Sequence, residues 1–391
     1  MGSGSGGTYM NRVKAREASD VIVVGAGLIG LACAWELAGT GAKVTVVERE
    51  EPGCGATRVA AGMLAPIGEL DFGEPELLEL NLRSRRLYPD FVATLEAATG
   101  LDTGYRHTGA LHVALDRDEA GELRRIMELQ HSYGLDPKWL GPMAARELEA
   151  GISPSLAGAV LVEEDAVVDP RALTAALRAG LEDRGVRIVT GEVTGLVRDP
   201  AGKVTGTETT RGRFDADLVV AAPGAFAGIA NWLPDEIRPP VRPVKGQTVE
   251  LRGDVDEPVC ERILGSERVY IAPRPDGRVI LGATSEEMGF DTRVTGGGVH
   301  ELLREAYRLL PDVAEMEFVG AIAGLRPGTP DNLPLIGPTA IEGLILATGH
   351  YRNGILLAPL TAKAVGELAV GGEPEWLLAS SPARFEHQEA R

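Results

Sequence analysis

The chain has 391 residues, which suits two intertwined domains, and its formal net charge of -18 argues against nucleic acid or an anionic membrane as a partner. Its three cysteines are too few and too scattered for a disulfide framework or a zinc site, and no H-E-x-x-H, C-x-x-C or G-x-S-x-G pattern indicates a metalloenzyme or a serine hydrolase. No apolar run approaches the roughly 20 residues that span a bilayer. We therefore predict a cytoplasmic protein without a metal site.

Residues 1–19 contain GSGSGG, a glycine repeat with no strand before it and no helix after it, and we interpret them as a cloning remnant and a flexible start. The next stretch, Asp20 to Glu48, predicts a strand, a glycine-rich turn, a helix and a second strand. Gly25, Gly27 and Gly30 fit G-x-G-x-x-G, in which the first glycine permits a tight turn, the second lets the backbone approach a pyrophosphate, and the third lets helix and strand pack closely.

The helix predicted from Leu28 points its free N–H groups and its positive dipole end at that phosphate. Glu48 ends the second strand, where an acidic side chain accepts hydrogen bonds from a ribose 2′-OH and disfavours NADP. The pattern predicts an adenine-dinucleotide site. The alternative is an ordinary βαβ unit in which Glu48 is a solvated strand end.

The middle of the chain mixes several patterns. Residues 52–66 are mostly small and predict a helix packed against something flat or against another helix, and residues 76–99 have helical spacing that we expect to be interrupted at Pro89. A segment near Ala159 predicts a further parallel αβ unit, followed by a hairpin over 193–209 and a buried strand over 217–222.

From Pro239 onwards, short strands joined by Pro/Gly/Asp turns indicate an antiparallel sheet, and Gly296 to Gly298 predict a flexible loop. A continuous apolar strand over 344–348 and a helix from Ile355 return the chain to the first sheet. We therefore predict an α/β nucleotide domain of residues 20–90, 151–236 and 325–391, and an α+β substrate domain of residues 91–150 and 237–324.

These motifs together resemble the glycine oxidase and D-amino acid oxidase family of FAD flavoproteins. The resemblance extends from about residue 20 to 368, in family order. It rests on seven motifs, the first of which is accompanied by Glu48. They are GAGLIG at 25–30, AAGM at 60–63, VKGQ at 244–247, VYIAPR at 269–274, LGAT at 281–284, GLRPGTPDNLPLIG at 324–337 and GHYRNGILLAP at 349–359. It implies a Rossmann-like domain of the glutathione-reductase type and a substrate domain built on an antiparallel sheet.

The resemblance also implies FAD as the cofactor, held without a covalent link because no cysteine follows Cys260, whereas related sarcosine oxidases tether their flavin through a cysteine near the C-terminal domain. The C-terminal helix start would stabilise negative charge on the flavin. The implied cofactor-binding residues are Gly25, Gly27, Leu28, Ile29, Gly30, Glu48, Arg49, Ala60, Ala61, Gly62, Met63, Val193, Gly224, Gly349, His350, Arg352, Asn353, Gly354 and Ile355.

For the substrate, the resemblance implies that Arg326 grips a carboxylate with its planar fork of donors, that Tyr270 adds a hydrogen bond, and that Arg352 lies at the substrate mouth. The residues alone leave alternatives open: Arg326 could cap its strand or pair with Asp331, Tyr270 could be a half-buried strand aromatic, Arg352 could face solvent, and His350 could be structural.

The implied reaction is oxidative deamination of glycine or small D-amino acids, in which the α-hydrogen passes as hydride to flavin N5 and oxygen is reduced to hydrogen peroxide. The implied partners are a small amino acid, molecular oxygen and further copies of the chain in a homo-oligomer. Two alternatives stay open: a D-amino acid or sarcosine-type dehydrogenase with another acceptor, and a non-catalytic FAD-binding redox sensor.

Overall fold

The computed structural model of the protein describes residues 19–66 and 74–385, so the interpretation of residues 1–18 lies outside the described residues. Strands account for two large sheets and one small one in this part of the chain. In chain order they are β1 Ser19–Val24, β2 Val44–Glu48, β3 Met63–Leu64, β4 Ala110–Ala114, β5 Lys138–Leu140, β6 Gly158–Val162, β7 Ala166–Val167, β8 Arg187–Thr190, β9 Val193–Arg198, β10 Val204–Thr209, β11 Gly212–Ala221, β12 Arg242–Arg252, β13 Ile263–Gly265, β14 Tyr270–Pro273, β15 Arg278–Gly282, β16 Glu317–Gly328, β17 Leu335–Pro338 and β18 Leu344–Thr348.

Helices cover both sheets. The α-helices are α1 Leu28–Gly39, α2 Ala56–Val59, α3 Pro75–Thr99, α4 Arg117–Ser132, α5 Pro142–Leu148, α6 Pro170–Asp183, α7 Gly296–Leu309 and α8 Ala358–Ala369. Short 3₁₀ turns occupy Gly224–Ile229, Asp235–Ile237, Pro311–Glu315, Tyr351–Asn353, Glu375–Ser380 and Pro382–Phe385. None of the helices within the described ranges is long and apolar enough to cross a membrane.

The first sheet has the strand order β17-β18-β11-β1-β2-β8, and its central strands are parallel. Val21 to Val24 of β1 are buried because α1 covers one face of the sheet and a second apolar cluster covers the other. The predicted hairpin over 193–209 is confirmed, since β9 and β10 pair antiparallel and extend β11. This sheet carries the glycine-rich turn at the carboxyl end of β1.

The second sheet has the order β16-β12-β15-β14-β13-β4-β6-β5 and is antiparallel except where β13 runs beside β4. The expectation that residues near Ala159 belong to the first sheet is wrong, because β6 pairs with β4 and β5. All five β6 residues are buried, and a strand buried on both faces has the same apolar pattern in either sheet type. Likewise β16 keeps residues 325–328 in the second sheet. The division into two domains remains a prediction.

Three local predictions are also wrong. Helix α3 continues through Pro89, which is exposed, while Tyr88 and Val92 on either side of it are buried and hold the helix together despite the lost hydrogen bond. Gly296 begins α7 instead of a loop, because the Thr295 side chain caps that helix by accepting from the Gly298 N–H. In residues 52–66 only the four-residue α2 is α-helical.

Candidate functional site

A large cavity of about 1250 Å³ lies between the two sheets and is lined by residues from both. We call the lining residues that follow β1, together with the last residue of β2, the glycine wall: Gly25, Gly27, Leu28, Ile29 and Glu48. We call the lining residues of the second sheet the arginine wall: Gly246, Tyr270, Thr284 and Arg326. A cavity outside the carboxyl ends of parallel strands is where ligands of open α/β sheets bind.

The three glycines of the turn serve different purposes. Gly25 has φ +102° and a Cβ there would lie 2.3 Å from the Ala222 carbonyl oxygen, while a Cβ on Gly30 would lie 1.9 Å from the Gly25 carbonyl oxygen. Gly27 has room, because the nearest atom to its added Cβ is the Thr57 Oγ1 at 3.8 Å. Gly30 is therefore fixed by helix–strand packing and does not line the cavity, whereas Gly27 leaves backbone open to a ligand.

Side chains brace this turn from two directions. The Ala26 N–H donates to Glu48 Oε2 at 2.6 Å, and the Glu50 N–H donates to Glu48 Oε1 at 3.0 Å. The Leu28 N–H donates to the Thr57 hydroxyl at 3.0 Å. An ionised carboxylate has about four acceptor positions, so Glu48 can still bind a ribose hydroxyl. Sequence reasoning did not find Thr57, and its only signal was a hydroxyl among small residues.

The small-residue segment Ala60 to Met63 lines the cavity beside the glycine wall. A Cβ on Gly62 would lie 2.0 Å from the Val168 carbonyl oxygen, so the segment packs tightly against the chain before α6. The Arg274 guanidinium donates to the Ala61 carbonyl oxygen. Burial lowers the pKa of Arg274 to about 10, and Asp169, whose carboxylate is 4.0 Å from Arg274 Nε, opposes that shift. Arg274 is a residue that sequence reasoning missed.

The C-terminal segment 349–355 lies after β18, and its helix starts later than predicted. Tyr351–Asn353 form a 3₁₀ turn and α8 begins only at Ala358, so Ile355 lies before the helix. Gly349 has φ +76° and packs closely against Thr329, and it does not line the cavity. The lining residues of this segment are His350, Tyr351, Arg352, Asn353, Gly354 and Ile355.

Two buried polar side chains of this segment differ in their bonding. His350 Nε2 lies 2.9 Å from the Thr361 hydroxyl, and burial lowers its pKa to about 3, so His350 is held neutral against α8. Asn353 accepts from Asn81 Nδ2 at 3.3 Å, but among the described residues its own Nδ2 has no hydrogen-bond partner. A buried amide donor left without a partner fits an acceptor atom on a ligand in the cavity.

Arg326 is half-buried on β16. Its Nη1 donates to the Thr284 carbonyl oxygen at 3.0 Å and to the Lys245 carbonyl oxygen at 3.4 Å, and no carboxylate of the described residues forms an ion pair with it. The guanidinium lies over Gly246, where a Cβ would be 2.4 Å from Nη1. The alternative pairing with Asp331 is wrong, since Asp331 binds Arg384 at 2.8 Å.

The other two predicted substrate residues also line the cavity. Tyr270 is half-buried and its ring lies against Gly282, where a Cβ would be 2.2 Å from the phenol oxygen. Arg352 donates from Nη2 to Glu74 Oε2 at 2.7 Å, and Glu74 Oε1 accepts from Asn332 Nδ2 at 2.6 Å. Arg352 is therefore held by Glu74 rather than free in solvent.

Arg49, Val193 and Gly224 line the cavity as expected, and two aromatic residues join them unexpectedly. The Arg49 guanidinium lies 3.7 Å from the centre of the Phe226 ring, and Phe226 stacks on Phe290 at 5.1 Å between ring centres. Phe290 belongs to the loop after β15, so this stack connects the two sheets across the cavity.

The donor set fits a dinucleotide more closely than a metal. The described residues contain no group of three or more His, Cys, Asp or Glu side chains arranged to hold a metal ion. Open backbone at Gly27, the start of α1 and the unpartnered Asn353 donor all suit phosphate and carbonyl oxygens. Cys54 lines the cavity, but burial first and then the charge of Glu50 raise the pKa of its thiol, which disfavours the thiolate that a covalent link needs.

Comparisons with known proteins agree with this geometry. The family model described as DAO, FAD dependent oxidoreductase, matches residues 20–368. The glycine oxidase of Geobacillus kaustophilus is 37% identical over 364 residues, which cover 92% of this chain and 95% of that protein. The bifunctional protein ThiO/ThiG of Trichormus variabilis is 39% identical over 375 residues, which cover 94% of this chain and 55% of that protein. The chain thus spans about half the length of that bifunctional relative.

Solved structures give the same result for the fold. The crystal structure of glycine oxidase from Geobacillus kaustophilus superposes with a TM-score of 0.87 at 36% identity, covering 94% of this chain and 99% of that one. The crystal structure of iminodiacetate oxidase from Chelativorans sp. BNC1 superposes with a TM-score of 0.84 at 27% identity, covering 93% and 98%. The predicted combination of a Rossmann-like domain with an antiparallel-sheet domain is confirmed.

Proposed function

Because the chain belongs to the DAO family of FAD-dependent oxidoreductases, we propose that it oxidises glycine, small D-amino acids or both to the imino acid, which water hydrolyses to the oxo acid and ammonia, while oxygen is reduced to hydrogen peroxide. The observation that carries this proposal is Arg326, a half-buried guanidinium that faces the cavity without a carboxylate partner among the described residues. The similarity to proteins named glycine oxidase supports the same substrate class.

The glycine wall would hold the FAD pyrophosphate and ribose. The backbone at Gly27 and the start of α1 offer N–H groups and a positive dipole end, and Glu48 offers acceptors for ribose hydroxyls. The small-residue segment and Asn353 would contact the rest of the cofactor. When bound, FAD supplies the acceptor for the hydride that leaves the substrate α-carbon.

The arginine wall would hold the substrate. Arg326 has its Nη1 fixed by the Thr284 carbonyl, which leaves other guanidinium N–H groups to bind both oxygens of a carboxylate. Tyr270, on the neighbouring part of the wall, would add a phenolic hydrogen bond. These contacts fix the α-carbon of the substrate in one orientation, which lowers the entropic cost of reaching the reactive geometry.

A reduction assay separates this proposal from its alternatives. Glycine and D-alanine are each mixed with the yellow holoenzyme, first without air and then with air, while flavin absorbance and peroxide are measured. Bleaching without air and peroxide formation with air are expected. Bleaching without peroxide would indicate a dehydrogenase with another acceptor, and no bleaching with a panel of amino acids would indicate a redox sensor.

A further inference from the structure

Behind the arginine wall the second sheet carries a polar cluster, which we call the rear cluster: Lys245, Gln247, Thr284, Glu286 and Thr295. Lys245 and Gln247 are buried, and Thr284 also lines the cavity. Gly246 and Arg326 face the cavity, whereas Gln247 packs against α7, where a Cβ on Gly298 would lie 2.5 Å from its Nε2. Lys245 and Gln247 share a face because strand residues alternate. The cluster therefore lies directly behind the arginine wall.

Glu286 is the centre of this cluster. Its Oε1 accepts from Gln247 Nε2 at 2.7 Å and from the Thr284 hydroxyl at 2.6 Å, and its Oε2 lies 3.3 Å from Lys245 Nζ. Burial alone would raise the pKa of Glu286, but the hydrogen bonds from Gln247 and Thr284, together with Lys245, lower it below its ordinary value. The carboxylate therefore stays charged.

The negative charge of Glu286 compensates the positive charge of the buried Lys245. The Lys245 side chain is 1% exposed, and within the described part of the chain its ammonium makes no hydrogen bond, so the ion pair with Glu286 compensates its burial. Backbone bonds join the same two residues, since each N–H donates to the other's carbonyl oxygen at 2.9 Å. The loop after β15 is thus fastened to β12 by both side chains and backbone.

The rear cluster reaches Arg326 through Thr284. The Thr284 hydroxyl donates to Glu286 and accepts from the Gln247 N–H at 2.9 Å, while the Thr284 carbonyl oxygen accepts from Arg326 at 3.0 Å. The second acceptor of Arg326, at 3.4 Å, is the carbonyl oxygen of Lys245. Both carbonyl groups that hold the guanidinium therefore belong to residues that Glu286 binds.

We propose that Glu286 is a positioning residue that orients Arg326 for carboxylate binding through the Thr284 and Lys245 carbonyls. This inference rests on the proposed function, because it takes Arg326 to be the substrate anchor. Glu286 does not line the cavity and touches the arginine wall through Thr284, so its effect is expected on substrate binding rather than on FAD retention or on the hydride-transfer step.

The test compares Glu286→Gln with Glu287→Gln in the holoenzyme. Glu287 is the adjacent carboxylate, but it is exposed and pairs with Arg242 at 3.1 Å on the surface, so it is a matched control. Glu286→Gln should raise the KM for glycine and the Kd for acetate, read from the flavin spectrum, about tenfold, with kcat changed by less than about twofold. Glu287→Gln should change neither constant.

Thr284→Val is a second variant. It keeps the ion pair of Glu286 with Lys245 and removes the Thr284 hydroxyl, which donates to Glu286 and accepts from the Gln247 N–H. A rise of about threefold in the KM for glycine is expected. The decisive measurement repeats Glu286→Gln in an Arg326→Lys background. There its effect on kcat/KM should fall below about twofold, because residues that act through one another are not additive.

The inference is overturned if Glu286→Gln and Thr284→Val leave acetate binding unchanged, or if the effect of Glu286→Gln persists in the Arg326→Lys background. It is also overturned if Glu286→Gln releases FAD without affecting acetate affinity in the remaining holoenzyme. A different result addresses the proposed function: if Arg326→Lys itself leaves acetate and glycine binding unchanged, Arg326 is not the substrate anchor.

Discussion

The two walls of the cavity are built by different means. The glycine wall is mostly backbone, shaped by one continuous strand–turn–helix–strand unit over residues 20–48. The arginine wall combines side chains from β14, β16 and the loop after β15 with the backbone of β12, so residues as distant in sequence as Gly246 and Arg326 meet there. The first wall depends on local spacing, and the second depends on the register between distant strands.

This difference predicts which substitutions damage the fold and which damage only ligand binding. In the turn that builds the glycine wall a single methyl group can collide with backbone, because Gly30 lies against Gly25 and Gly25 lies against the Ala222 carbonyl. On the arginine wall the functional groups are the ends of long side chains, which can be removed without displacing the backbone.

The largest effect is expected for Gly30→Ala. The new Cβ would lie 1.9 Å from the Gly25 carbonyl oxygen, so α1 must move away from β1 at a cost of roughly 3 kcal/mol or more. Thermal unfolding and the FAD content of the purified protein measure this change, and both should fall.

Gly27→Ala is the matched control for that prediction, because its new Cβ meets only the Thr57 Oγ1 at 3.8 Å. The apoprotein should keep its stability, while FAD affinity falls about tenfold or more because the methyl group occupies the space that the pyrophosphate approaches. Equal loss of apoprotein stability in the two variants would contradict the assignment of separate purposes to these glycines.

Arg326→Ala should have the largest effect of any change to the arginine wall. Loss of a charged partner for the substrate carboxylate costs about 3–4 kcal/mol, so kcat/KM for glycine should fall on the order of 100- to 1000-fold. The visible spectrum of bound FAD should stay unchanged, because Arg326 belongs to the other wall. Loss of the spectrum would show that the two walls are not independent.

The same contrast explains what the sequence could and could not reveal. The spacing of Gly25, Gly27 and Gly30 predicted the turn, its helix and its strand, because these elements follow one another directly in the chain and Gly30 packs against Gly25. No pattern of neighbouring residues in the sequence indicates that Gly246 lies beneath Arg326 or that Thr284 accepts a hydrogen bond from Arg326. The resemblance to a family supplied Arg326 and Tyr270 as candidates. The register of β12 with β16 supplied the neighbours of Arg326, and the register of β14 with β15 supplied Gly282 as the neighbour of Tyr270. Strand β6 was misplaced for the same reason, since partner choice is non-local.

Arg274→Met tests the connection between the walls. Arg274 follows β14 of the second sheet, yet its guanidinium donates to the carbonyl oxygen of Ala61 in the small-residue segment. Its loss should weaken FAD binding about tenfold, because one charged hydrogen bond that fixes the segment is removed. Titration of the apoprotein with FAD measures this. As the control, Arg171→Met removes an exposed arginine that pairs with Glu250 at 2.8 Å nearby, and it should leave FAD affinity unchanged.

The smallest effect is expected for Tyr270→Phe. The ring stays packed against Gly282, so the strand pairing of β14 with β15 is kept and only the phenol oxygen is lost. One hydrogen bond to a carboxylate, in a site where Arg326 still supplies the charge, contributes about 1 kcal/mol, which corresponds to a rise in KM of about fivefold. Steady-state kinetics with glycine should show this rise with little change in kcat. A fall in kcat with an unchanged KM would instead assign Tyr270 to the reaction step, and the arginine wall would then do more than bind the carboxylate.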